Sequence, residues 1–167
     1  MPYRSWQDRR AKPRTYVGQW MRAALLRQRD RRNELQGTLN DGKPGWNDDE
    51  PAVVELVCQM AVRRFFADGR GMQDIATVVD AVQQASEDDM AVDRLEVEAL
   101  IRKALGEDEI GTKSIGNGKK FILRIWITGA VVFLLNLDEA TVDETITDSE
   151  LLAFEQGWKP PLVRKAR

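Results

Sequence analysis

The chain has 167 residues, 43% hydrophobic and 31% charged, with 12 Gly and 6 Pro, a balance that excludes a disordered polymer or a fibrous repeat. It has no histidine and one cysteine, Cys58, which removes the commonest general base, the commonest zinc ligand and any intrachain disulfide. The formal net charge of −2 conceals a dipole: residues 1–35 hold ten basic side chains against Asp8, Asp30 and Glu34, or +7, while 36–167 hold 15 basic against 24 acidic, or −9.

Residues 1–36 read as a basic arm ending in an amphipathic helix. The opening MPYRSW lacks the apolar run of a signal peptide, so a cytoplasmic location is expected, and an Arg-to-Lys count of 17 to 8 fits a GC-rich bacterial gene. Residues 1–14 show no apolar period and are broken by Pro13. From Thr15 onward Val17, Trp20, Met21, Ala24 and Leu25 share a helical face, flanked by arginines. Turn chemistry in GTLNDGKPGWND then predicts a linker over 37–47.

A helical domain is expected over 48–157. Asp48 or Asp49 can cap a helix running to about residue 67, with Pro51 in its first turn and Gly69 beyond its end. Its sequence, AVVELVCQMAVRRFF, is apolar on nearly every side and predicts a central helix. Met72, Ile75, Val78, Val79 and Val82 form the stripe of a second helix over 72–84. Asp93 and Glu96 have the spacing of a capping box, opening a third over 93–105 that stops at Gly106.

FILRIWITGAVVFLLNL (121–137) reads as a β-hairpin over 120–138, bent at Gly129. A three-residue loop places Phe121, Leu123, Ile125 and Ile127 on one face with Val131, Phe133, Leu135 and Leu137. As a membrane span, 17 residues would reach only about 25 Å, and Arg124 would sit within it. The other hairpin face, with Arg124 and Trp126, either packs under a helix of the same chain or forms an interface. A short helix, SELLAFEQ, is expected from Thr147 or Asp148 to Gly157, followed by a basic tail over 158–167.

Catalytic chemistry finds little support. GTKSIGNGKK (111–120) has two glycines at phosphate-loop spacing, but Asn117 and Gly118 stand where Lys and Ser or Thr are required, and a strand is expected after it. The acidic residues between Asp138 and Glu150 lack the glycine bend of a calcium loop and read as solvated loop and cap charges. The four serines sit in no nucleophile elbow, and Cys58 lies among apolar neighbours as an inert buried thiol. No catalytic, cofactor or metal site is assigned.

Three helices followed by a hairpin resemble a winged-helix arrangement in element order alone. The third helix, DRLEVEALIRKALGEDE, carries more acid than base and would repel phosphates, so the resemblance implies a protein-binding variant. The expected fold is therefore mainly helical α+β: a body of three or four helices, a hairpin and a basic N-terminal arm. The expected function is a non-enzymatic interaction module, an adaptor, regulatory subunit or component of a larger assembly, with a homo-oligomer also possible. Its partner-binding residues would be Arg4, Trp6, Arg9, Arg10, Arg14, Trp20 and Arg22 on the arm, with Arg124 and Trp126 on the hairpin. An acidic protein surface is the expected partner; the alternative is nucleic acid, with arm and tail meeting phosphates and aromatics stacking on bases.

Overall fold

The computed structural model describes residues 12–40, 49–86, 92–107 and 111–163. Among them are seven helices, a 3₁₀ turn and no β-strand. The helices are α1 (Tyr16–Leu25), α2 (Arg29–Asn40), α3 (Asp49–Phe66), α4 (Ile75–Ala85), α5 (Arg94–Ala104), α6 (Asn117–Leu134) and α7 (Glu139–Glu155); the turn is Met72–Asp74. None of these helices is long and apolar enough to cross a membrane.

The absence of strands corrects the expected α+β class, the hairpin at 120–138 and the winged-helix resemblance, which loses its wing. That segment forms α6, a single helix of 18 residues. Two periods coexist in its sequence, and the helical one prevails. Leu123, Ile127, Ala130 and Val131 recur at helical spacing and are all buried. Phe133, placed with Ile127 by the hairpin reading, lies about 120° away around a helix. Ile127 is 0% exposed and Phe133 is 69% exposed. A lone two-stranded hairpin is marginal in water, whereas a helix satisfies its own backbone and needs only one face packed. Gly129 costs about 1 kcal/mol relative to Ala at such a position. Burial of even one of the three large side chains on the packed face, Leu123, Ile127 or Val131, offsets that. Within the helix, the Thr128 hydroxyl donates to the Arg124 carbonyl at 2.7 Å.

Helix ends follow local chemistry. The Asp93 carboxylate accepts from the Leu95 amide at 2.9 Å, but Glu96 pairs with Lys119 at 2.5 Å instead of closing a capping box. α7 starts earlier than Thr147, because Asp138 caps it by accepting from the Thr141 amide at 2.8 Å. Arg27 adopts a left-handed conformation, φ 57°, which separates α1 from α2. The 28 amide there donates back to Ala23 O at 2.8 Å, closing the end of α1.

The chain forms two compact units. One joins residues 1–57 to 137–167; the other is 58–136. The second unit has a continuous apolar core of Val62 and Phe65 from α3, Val78 and Val82 from α4, Val97 and Ile101 from α5, and the buried face of α6. The first buries Val17 and Met21 of α1, Leu35 of α2, Val53 and Val54 of α3, and Val142, Ile146 and Ala153 of α7. It also buries charge: Arg22, Asp143 and Glu150 are each 9% exposed or less.

Candidate functional site

The basic arm enters the first unit at Thr15. Thr15 is extended, and its hydroxyl accepts from the Gly18 amide at 2.8 Å, capping α1. The amides just before the helix would otherwise point into the interior unsatisfied. Glu150 of α7, 1% exposed, meets them with its carboxylate. It accepts from the Arg14 amide at 2.9 and 3.1 Å and from the Thr15 amide at 2.6 Å. Burial holds the Glu150 carboxyl above the usual carboxylate range, against the opposing pull of these hydrogen bonds. Gly18 makes the approach possible, since a Cβ there would lie 2.5 Å from a Glu150 oxygen.

The chain returns to the same place after α7. Gly157, φ 90°, ends that helix, and the Trp158 amide donates back to Ala153 O at 3.0 Å. The Lys159 amide donates to Asp49 at 2.8 Å at the start of α3. Pro160 and Pro161 keep the segment extended, and it pairs antiparallel with the arm through a single bridge, Thr15 to Leu162. The bridge is framed by Tyr16 N–H to Pro161 O at 3.1 Å and Val163 N–H to Arg14 O at 2.8 Å.

This geometry sorts charges in an unusual way. Two carboxylates, Glu150 and Asp49, lie beside the paired segments; both accept from backbone amides, and Glu150 also interacts with the Arg14 charge. The side chains of Lys12, Arg14 and Lys159 remain exposed. Trp158 and Leu162 are exposed beside Lys159 in sequence, at 38% and 56%.

The sequence-predicted residues are placed as follows. Arg4, Trp6, Arg9 and Arg10 lie outside the described residues. Arg14 stands at the bridge with its side chain exposed. Trp20 is half-buried on α1. Arg22 is buried and turned to α7, with Nε donating to Asp143 at 2.5 Å and Nη2 to Glu139. Burial works against the Arg22 charge, but Asp143 and Glu139 outweigh it and raise the guanidinium pKa. Arg124 and Trp126 are half-buried on α6 in the second unit, where Trp126 packs against the core. The structure thus brings arm and tail together at Arg14, while Arg22 serves the contact between α1 and α7.

Asp143 and Glu150, which the sequence reading takes as solvated loop and cap charges, are instead buried on α7. Their signal was available: Asp143, Ile146, Glu150 and Ala153 recur every three or four residues, the mark of one inward helix face. The loop at 111–116 opens a helix, α6, where a strand was expected, and Gly116 caps it. Asn117 and Gly118 still occupy the positions that a phosphate loop reserves for Lys and Ser or Thr. No cluster of three or more Cys, Asp or Glu able to hold a metal ion exists among the described residues. No family model matches the chain, nor does any curated protein or solved structure.

Proposed function

We propose that this protein is a non-enzymatic interaction module that docks on an acidic partner surface through its basic N-terminal arm. The observation that carries this reading is the fate of the carboxylates at the root of the arm. Glu150 and Asp49 accept from main-chain amides, which fixes the backbone, and the Lys12, Arg14 and Lys159 side chains are exposed, although the Glu150 charge also acts on Arg14. A basic surface used only for internal pairing would be answered by acidic side chains, as Arg22 is by Asp143 and Glu139. The absence of histidine and the 2% exposure of Cys58 also favour binding over catalysis.

The test is retention of the full chain on a polyglutamate resin as salt rises. Attraction between exposed charges is screened over about 10 Å at 0.1 M salt, so elution should follow ionic strength. Replacing Arg4, Arg9, Arg10, Lys12 and Arg14 by Gln should shift elution to markedly lower salt with the thermal transition unchanged. If wild type and variant elute together, the arm is not the docking element.

A further inference from the structure

We infer that the corner between α1 and α2, together with the root of the arm, is a docking surface for the phosphate backbone of duplex nucleic acid. The inference rests on the interaction reading above, adds a second element to the arm and names the partner.

The corner holds four arginines in six residues, Arg27, Arg29, Arg31 and Arg32, against one acid, Asp30. All four are exposed. α2 packs on α1 and buries only Leu35 among residues 29–37, so most of its surface meets water. Arg31 is engaged inside the fold: it pairs with Glu34 at 3.0 Å, and its Nη2 donates to the Gln19 side-chain oxygen at 2.9 Å. The same Gln19 carboxamide donates through Nε2 to the Pro13 carbonyl at 3.0 Å. One side chain therefore ties the first turn of α2 to the arm root, where Lys12 and Arg14 flank Pro13 and are exposed. Among the described residues, no ion pair engages Arg27, Arg29 or Arg32.

Stability of the fold does not account for these three. Arg27 occupies the left-handed position, φ 57°, that ends α1 and favours Gly. Arg29 and Arg32 stand at the start of α2, where a positive charge opposes the helix dipole.

What the surface lacks selects the partner. The large hydrophobic side chains exposed among the described residues are Met72, Leu95, Ile122, Phe133, Trp158 and Leu162, none of them on α1, α2 or the arm root. A protein interface draws its energy from aromatic and apolar anchors, whereas a phosphate backbone needs only cations facing it. Arginine suits phosphate by its planar, bidentate fork. Single strands are held by stacking on exposed aromatics, and Tyr16 and Trp20 of α1 are half-buried.

The experiment is fluorescence anisotropy with a labelled duplex of about 20 base pairs, titrated with the full chain between about 50 and 200 mM NaCl. If about five phosphates are met, the logarithm of the binding constant should fall against log salt with a slope near −4.5. Replacing Arg27, Arg29 and Arg32 together by Gln should weaken binding at least tenfold and flatten the slope by about 2 to 3, although the arm is intact. Arg27→Gly alone should weaken binding while the thermal transition holds or rises, because Gly relieves the left-handed backbone. Circular dichroism verifies that each variant stays folded.

Unchanged duplex binding by the triple variant overturns the corner as a docking surface, whatever the arm variant does on polyglutamate. Retention of the wild type on polyglutamate without duplex binding at about 50 mM NaCl overturns the nucleic-acid partner and leaves the arm reading standing. A single strand of the same length bound more tightly than the duplex overturns the duplex assignment. Binding to neither polyanion overturns both the inference and the reading beneath it.

Discussion

At the scale of single residues, the first unit depends on one carboxylate in an unusual position. Glu150 takes up amides that a helix start leaves unpaired, and Gly18 gives it room. Ala is the better helix former by about 1 kcal/mol, so Gly18→Ala would be stabilising on an isolated helix. Here the new Cβ would push the carboxylate off its donors, and the loss of buried hydrogen bonds outweighs the gain. Gly18→Ala should cost about 1–3 kcal/mol in urea unfolding. In a Glu150→Ala background the penalty should shrink but not vanish, because the Thr15 hydroxyl also lies 2.8 Å from the new Cβ; an undiminished cost there would assign the whole clash to Thr15. Glu50 is a second residue to test. It is 3% exposed, and burial, with the neighbouring Asp49 charge, pushes its carboxyl up to about 7. Between its ordinary value and about 7 the folded protein keeps a proton that the unfolded chain releases, so stability is present at low pH and lost as pH rises. Glu150 contributes in the same direction. Between about pH 5 and pH 7 the loss from Glu50 should be about 2 kcal/mol. Glu50→Gln should remove that slope in a pH series of unfolding curves, and an unchanged slope would assign it to other groups.

At the scale of elements, α4 and α5 were legible from one clear period, and α6 with two was not. The start of α7 and the end of α2 ran past the bounds the sequence suggested. Asp93 and Gly106 bracket α5 by simple chemistry, and the stripe from Ile75 to Val82 is unambiguous. α6 is rich in β-branched residues, has a glycine at its centre, and alternates well enough to pass for two strands. What decides its conformation is the neighbouring surface, which a linear pattern does not contain. α6 packs against α4 and α5, and that contact selects the 3.6-residue period. The helix has a sharp consequence. Ile127→Ala should cost about 2–5 kcal/mol, because the side chain is fully buried in the core of its unit. Phe133→Ala should change stability by less than about 0.5 kcal/mol. Comparable losses at both positions would restore the shared face of a hairpin. The candidate site was legible in part for the same reason. The charge of arm and tail stands in the sequence, but their pairing through Thr15 and Leu162 joins residues from opposite ends of the chain.

At the scale of the whole molecule, the two units have separate cores, and the first is assembled from both ends of the sequence. Arg22 to Asp143, Arg14 to Glu150 and Tyr16 to Pro161 are all contacts of long sequence separation within that unit. Such closures carry a loop entropy that only the finished contact repays. If one of them fails, the neighbouring closures should loosen with it, whereas the core from Val62 to Val131 has no residue in the set. Glu150→Ala is the clean perturbation, since it removes the acceptor for the Arg14 and Thr15 amides without adding bulk. Hydrogen exchange should then quicken together at Arg14, Thr15, Tyr16 and Val163, because the bridge hangs on the same backbone. The amides of Ile101 and Ile127 should keep their protection. Equal acceleration there would mean that both units open as one cooperative body. Acceleration at Arg14 and Thr15 alone would mean that the bridge holds without the carboxylate, leaving the tail fixed by its own two hydrogen bonds.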